Sequence, residues 1–264
     1  MKAILSVLIS AAAIAQQPMG MPARAPRPPD ERYEIVAHPS PEFTQDRVMP
    51  GTRFWLLDEG NRELQVWYRP KVARGSNDTS HLWQLEVEVG LLPHVQLDVY
   101  ENIIKPGPGE DVKHEGNQIE LRIGFADYGE ILGNPALYLE WHPRDEEDKY
   151  EIRVLLGEEV LPGVLVAVNP FYEQQVQGTQ VFEWGMTAAV SAALKQGAIR
   201  LGLEGKAKFE RAEGADRTEK AFLVGPNLFA KALDDRLKLM LTFFTGLTDD
   251  ANRFEPIFIV GSEF

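Results

Sequence analysis

From Glu63 to its C-terminus, this 264-residue chain alternates polar and apolar side chains over successive segments that turn-forming residues separate. A two-residue period places neighbouring side chains on opposite faces of a β-strand, so each segment is predicted to form a strand with one apolar face. The pattern therefore predicts an all-β, antiparallel chain. The twelve predicted strands are residues 63–72, 82–91, 95–105, 117–126, 135–144, 150–160, 164–176, 182–194, 198–210, 220–232, 237–247 and 253–264.

The links between the predicted strands alternate in length. Links 92–94, 161–163, 195–197 and 233–236 are short, whereas links 74–81, 106–116 and 211–219 are longer and polar. Bacterial outer-membrane barrels have an even number of strands, short periplasmic turns and longer extracellular loops, and the observed order of links matches that layout. One link departs from the pattern, because Asp127–Asn134 is long although it falls on the side of the short turns.

Aromatic side chains indicate which way the apolar faces point, because alternation alone fits both a lipid-facing barrel and a soluble core. Ten aromatic residues share the apolar face near the strand ends that lead into long loops, as in the interfacial girdle of a membrane barrel. The opposite face carries too many charges for a soluble core. We therefore predict an antiparallel transmembrane β-barrel of about 12 strands in the bacterial outer membrane. The ten residues are Tyr68, Trp83, Trp141, Tyr150, Tyr172, Phe182, Trp184, Phe209, Phe222 and Phe254.

The charged face of the strands is predicted to line a lumen. Its carboxylates outnumber its bases, which favours passage of small polar or cationic solutes through an open channel. If the charges instead pair across strands, the barrel is closed and structural or anchoring, and the sequence leaves this alternative open. The predicted lumen-lining residues are Glu86, Glu88, Asp98, Glu120, Arg122, Glu140, His142, Glu151, Arg153, Glu183, Arg200, Glu204 and Lys206. Apolar residues on the same parity, which predict a dry plug in part of the interior, are Leu155, Leu223, Met240, Phe244, Ile257 and Ile259.

The chain before Glu63 is predicted to lie outside the barrel. Residues 1–15 combine Lys2, an apolar run and the small-x-small end Ala13-Ile14-Ala15, as a secretory signal peptide does. Residues 16–62 are interpreted as a Pro-rich tether followed by a periplasmic N-terminal segment. The absence of cysteine excludes disulfides and thiolate metal sites, and the formal net charge of −13 argues against nucleic-acid partners.

Four tight turns each lead into a strand with outward alternation: GLLPHVQLDV from Gly90, LPGVLVAV from Leu161, LKQGAIRLGL from Leu194 and ALDDRLKLML from Ala232. This turn repeat resembles that of small outer-membrane transporter-like barrels of the phenol-degradation MetA type. The last segment, 254–264, is similar to the closing strand of bacterial outer-membrane proteins, whose terminal aromatic residue is read by the assembly machinery. The resemblance implies a channel or transporter-like barrel that contacts the lipid bilayer and lipopolysaccharide, with Phe264 as the residue recognised during assembly.

Residues with the chemistry of a hydrolase are few. Ser80 and His81 are adjacent at the top of the second predicted strand, where adjacent side chains point to opposite faces, so they cannot share a proton. Ser191 has no histidine predicted beside it. We therefore expect no enzymatic activity, although a barrel enzyme acting on lipid remains a third alternative.

Candidate metal ligands are equally sparse. Glu140 and His142 offer two ligands on one stripe, fewer than a coordination sphere needs. The acidic stretch 145–148 and the pair Asp249 and Asp250 are interpreted as solvated loops. We expect no metal site and no cofactor.

Overall fold

The structure is a computed structural model that describes residues 39–76, 78–143, 148–194, 197–233 and 235–264. Within these ranges the strands are β1 (Arg62–Val72), β2 (Thr79–Leu92), β3 (Val95–Lys105), β4 (Lys113–Gly124), β5 (Ala136–His142), β6 (Lys149–Leu161), β7 (Val164–Gln175), β8 (Val181–Leu194), β9 (Ile199–Ala212), β10 (Glu219–Ala232), β11 (Leu237–Gly246) and β12 (Phe254–Glu263). A short 3₁₀ helix, Glu42–Thr44, precedes them. None of the described residues forms a helix with the length and hydrophobicity needed to span a bilayer. The predicted signal peptide and most of the predicted tether lie outside the described residues.

The strands form a closed antiparallel barrel in which each pairs with its neighbours in sequence and β1 pairs with β12. This arrangement confirms the predicted fold class and strand number. The largest boundary differences lie on the loop side, where β2 begins at Thr79 and β4 at Lys113. Both hairpins continue past their predicted ends, because Thr79 pairs with Val72 and Lys113 pairs with Ile104.

The apolar face of the strands points outward, as predicted. Val66 and Leu85 are exposed on the outside of the barrel. The predicted aromatic residues stack against one another nearer the long loops, and the ring of Tyr68 lies 5.7 Å from that of Trp83 and 5.9 Å from that of Phe258. An exposed apolar belt bordered by stacked aromatic rings is the surface that a membrane barrel presents to lipid.

Residues 39–61, here called the plug, enter the barrel, and residues 46–50 and 52–57 are buried inside it. This differs from the periplasmic position predicted for this part of residues 16–62. Val48 and Met49 are fully buried and belong to one apolar cluster with Leu155 and Met240 of the wall. The apolar side chains of the plug thereby leave water, and they cover the inward-facing apolar residues of the strands.

Two glycines of the wall make room for the plug. A Cβ atom at Gly90 would lie 2.0 Å from the backbone oxygen of Asp58, and one at Gly157 would lie 2.7 Å from Cδ2 of Phe54. Neither distance is compatible with a side chain, so the plug approaches the strand backbone more closely than any other residue type would allow.

The long link between β4 and β5 covers the plug. In this link, Tyr128 packs its ring against Phe43, Phe54 and Trp55, with centroid distances of 6.1, 6.2 and 5.5 Å. The one link that departs from the predicted alternation of lengths is therefore the link that holds the aromatic side of the plug.

We expect Leu241→Arg to lower the free energy of unfolding by about 2–4 kcal/mol, because it places a charge on the lipid-facing side of β11 at mid-strand. Leu247→Arg is the matched control, since Leu247 is exposed just beyond the loop-side end of β11, and its cost should be about 0–1 kcal/mol. Urea unfolding in phospholipid vesicles measures both values. Equal losses would contradict the assignment of the outer face.

Candidate functional site: the barrel lumen

The plug divides the interior into a filled half and an open half. The short turns mark the filled half as periplasmic. The open half is a cavity of about 400 Å³, here called the vestibule, and Pro50, Gly51 and Arg53 of the plug form its floor. Ser80 and Glu210, near the loop-side ends of their strands, are part of its wall.

Carboxylates on neighbouring strands lie directly opposite one another along the inner wall. This carboxylate row runs from Glu63, at the periplasmic end of β1, to Glu210, near the extracellular end of β9. Two exposed carboxylates extend it, since Glu263 of β12 lies opposite Glu63 and Glu219 of β10 lies opposite Glu210. The line that joins cross-strand partners runs perpendicular to the strands. Because the strands of a barrel are tilted, this line rises along the barrel axis from one end toward the other. From β1 to β9, one residue per strand, the row consists of Glu63, Glu88, Asp98, Glu120, Glu140, Glu151, Glu173, Glu183 and Glu210.

Basic residues two positions away on the same strands accompany the row. Arg122 on β4 and Arg153 on β6 each form an ion pair with the carboxylate of their own strand. On β9, Lys208 Nζ lies 3.0 Å from Glu183 and 2.8 Å from Glu210. Like charges directly opposite one another destabilise paired strands, and these cations reduce the repulsion.

Two arginines of the plug neutralise the lower part of the acidic wall. Arg47 lies 2.7 Å from Glu86 and also bonds Glu88, and Arg53 lies 3.0 and 3.2 Å from the same two carboxylates. Arg53 also donates a hydrogen bond of 2.6 Å to the Tyr100 hydroxyl. Burial opposes the charge on Arg53, but Tyr100 and the surrounding carboxylates outweigh it and raise its pKa, so the guanidinium stays charged.

An aspartate of the plug binds a different sector of the wall. Asp46 lies 3.0 Å from Lys231 and 2.8 Å from Lys238, and Lys238 lies 2.8 Å from Glu63 in turn. Asp46 therefore contacts a basic part of the wall and its neighbour Arg47 contacts an acidic part. The charges of the plug are thus complementary to both parts of the wall.

The thirteen residues predicted to line the lumen lie on the inner face, in two groups. Those buried in the periplasmic half are Glu86, Glu88, Asp98, Glu120, Arg122, Arg200 and Glu204. Those that line the vestibule are Glu140, His142, Glu151, Arg153, Glu183 and Lys206.

The sequence did not reveal several functional candidates. Arg47 and Arg53 belong to a segment without periodicity, which carries no signal for their position. Arg69 and Lys71, in contrast, line the vestibule from β1. Both share the parity of Glu63, so strict alternation along β1 is the signal that could have found them.

The residues considered for catalysis do not converge. Ser80 lines the vestibule, whereas His81 stacks outside on Tyr68, whose hydroxyl lies 2.8 Å from its Nδ1. Ser191 accepts a hydrogen bond of 3.2 Å from Arg200. The absence of enzymatic activity stays a prediction.

Three of the residues considered for metal binding are paired with one another or with a base. Glu140 bonds His142, and Asp250 lies 2.7 Å from Arg217. Residues 144–147 lie outside the described chain. Among the described residues, one group of three acidic side chains has the spacing of a metal site, and its members are Glu86, Glu88 and Asp98. Guanidinium groups already bind these carboxylates.

No family model matches the sequence, and no curated protein matches it. Solved structures are similar in fold. The COG4313 outer membrane channel from Pseudomonas putida F1 is 10% identical, with a TM-score of 0.59 over 80% of this chain and 98% of that chain. The chain has the fold of bacterial outer-membrane β-barrels. A KdgM porin is 10% identical, with a TM-score of 0.51 over 76% and 99% of the two chains, and a NanC porin is 11% identical, with a TM-score of 0.51 over 77% and 98%.

This result confirms the predicted resemblance to outer-membrane barrels at the level of the fold. The apolar outer face and the aromatic girdle agree with it, because they are the features of a barrel that spans the outer membrane.

We expect Arg47→Gln combined with Arg53→Gln to displace the plug. Breaking a buried ion pair costs about 3–5 kcal/mol, and exposure of Glu86 and Glu88 to water would relieve that cost. A single cysteine at Met49, which is fully buried, reports the change, because the chain has no cysteine of its own. Its maleimide labelling should be slow in the otherwise unchanged protein and fast in the double variant.

Two controls accompany this measurement. Arg217→Gln removes an exposed ion pair in a loop and should leave the labelling of the Met49→Cys reporter slow. Leu132→Cys, at an exposed position, should label rapidly in every background. Equal labelling of the reporter with and without Arg47 and Arg53 would show that these arginines do not hold the plug.

Proposed function

We propose that the protein is an outer-membrane channel for small polar or cationic solutes, and that its own plug closes the periplasmic half of the lumen. The carboxylate row is the observation that carries this proposal. It follows the inner wall from the periplasmic end of β1 to the extracellular end of β9, which is the direction in which a solute would cross the barrel. The neighbours in fold, described as a channel and as porins, also support a channel-like barrel.

The charge of the row favours cations. A barrel that served only as an anchor would gain nothing from carboxylates placed directly opposite one another, since this arrangement destabilises a sheet. Inside a narrow aqueous lumen, however, a continuous line of carboxylates concentrates cations and repels anions.

A solute can pass only if the plug moves, and the contacts of the plug make this step sensitive to charge. When Arg47 and Arg53 withdraw, the acidic wall on β2–β4 retains Arg122 as its basic partner. The β2–β4 sector of the wall therefore carries a larger negative charge in the open state, while withdrawal of Asp46 removes an acidic partner from Lys231 and Lys238 in the opposite sector.

A closed structural barrel is the second candidate, and the filled periplasmic half of the lumen is the observation that favours it. Conductance in planar bilayers distinguishes the two functions. A channel should show discrete steps, whereas a structural barrel should show none even when the plug is destabilised.

We expect Arg47→Gln combined with Arg53→Gln to raise the open probability of single channels in planar bilayers, because the plug loses its buried ion pairs. Arg217→Gln provides the control and should behave as the unchanged protein does. If neither the protein nor the double variant conducts, the channel proposal fails and the structural barrel becomes the better description.

Glu173→Gln combined with Glu210→Gln should reduce the cation preference, because it removes two members of the carboxylate row that line the vestibule. Reversal potentials in a salt gradient measure this preference. Asp249→Asn, in an exposed loop, should have little effect, since salt screens a charge beyond about 10 Å at 0.1 M ionic strength. Anion preference in the unchanged protein would contradict the proposal.

A further inference from the structure

A small pocket at the side of the vestibule has four cations among the twelve residues that line it. Its volume is about 70 Å³, which exceeds the roughly 30 Å³ that a water molecule occupies in the liquid and suits one carboxylate or phosphate group. Arg69, Lys71, Arg153 and Lys206 face this pocket, and Glu255 is the one acidic residue among the described residues that line it. The net charge of the pocket lining is thus positive, opposite to that of the carboxylate row.

Two of the four cations form no close ion pair within the described ranges. Among the described residues, neither Arg69 nor Lys71 takes part in an ion pair of 4.0 Å or less, and Arg69 donates a hydrogen bond of 3.2 Å to Gln84. Glu255 accepts a hydrogen bond of 2.7 Å from Asn252. Partly buried cations that outnumber the one carboxylate of their pocket are unfavourable, so the chemistry of the pocket matches an anion.

A buried hydroxyl in the same pocket is an independent indication of a ligand. Thr187 lines the pocket and is only 2% exposed, and its Oγ1 has no hydrogen-bond partner among the described residues. Buried hydroxyl groups are nearly always hydrogen-bonded in native structures. A hydroxyl in this position can donate to the oxygen atom of an anion.

We propose that this pocket binds the anionic group, a carboxylate or a phosphate, of a small solute in the vestibule. Arg69, Lys71 and Lys206 supply the positive charge, and Thr187 supplies a hydrogen-bond donor. Arg153 already pairs with Glu151 and forms part of the wall. The inference rests on the proposed function, in which solutes enter the vestibule. The pocket would bind anionic groups, which the carboxylate row repels.

Calorimetric titration of the folded full chain in detergent tests the site, with inorganic phosphate and succinate as separate probes. We expect saturable binding at low ionic strength, and the preferred probe identifies the anionic group. Arg69→Gln combined with Lys71→Gln should weaken binding about tenfold or more, because charge-assisted hydrogen bonds are lost. Lys113→Gln is the matched control, since Lys113 is an exposed cation at the loop-side end of β4, and it should bind as the unchanged protein does.

Glu255→Gln should change the affinity for the probe in the opposite direction. It removes the carboxylate of the pocket while keeping its size and its hydrogen bond to Asn252, so it should tighten binding of the same probe. Misfolding cannot mimic a gain of affinity. The proposal is overturned if neither probe binds the unchanged protein, if the double variant binds equally well, or if Glu255→Gln binds no more tightly.

The same protein preparation separates this proposal from the channel. Saturable binding without conductance would keep the pocket as a site and remove the channel function. Conductance without binding of either probe would keep the channel and remove the site.

Discussion

The interior of this barrel depends on the neutralisation of buried carboxylates. Carboxylates are stable away from water only when cations and hydrogen bonds replace their hydration. Glu86, Glu88 and Asp98 bring their oxygens within 4.8 Å of one another, and the adjacent wall supplies Arg122 as a base. The plug supplies further guanidinium groups through its own arginines, so the acidic wall and the plug stabilise each other. If the arginines were neutralised while the plug stayed in place, Glu86 and Glu88 would remain buried with fewer basic partners.

The strands could be predicted from the sequence because their two main determinants are local. Alternation assigns each residue to a face, and turn residues end the strands, so Glu88, Asp98 and Glu120 are individually recognisable as inward-facing. Their position directly opposite one another could not be predicted, because it depends on register. Irregularities between Gly90 and Leu92 and between Asn102 and Ile103 shift the pairing of these hairpins, and no sequence pattern marked them.

The plug could not be predicted, since its position depends on contacts between distant parts of the chain. From the sequence, the stretch TRFWLL from Thr52 fits a short strand or a periplasmic segment at the barrel mouth. The partners of Arg47 follow it in the sequence by 39 and 41 residues. One indirect signal was present in the chain. The link containing Tyr128 is too long for a periplasmic turn, and the aromatic contacts of Tyr128 with the plug provide the physical reason.

Shape and charge hold the plug in different ways. The close approach at Gly90 and Gly157 fixes one position for the plug, because a displaced plug backbone would meet the side chains that flank each glycine. The ion pairs determine how stably the plug is held at this position, and nearby charges change their strength. Arg53 belongs both to the floor of the vestibule and to the pairs with Glu86 and Glu88. In the proposed channel, a charged solute in the vestibule would interact with a guanidinium that holds the plug, which would couple occupancy of the open half to closure of the other half.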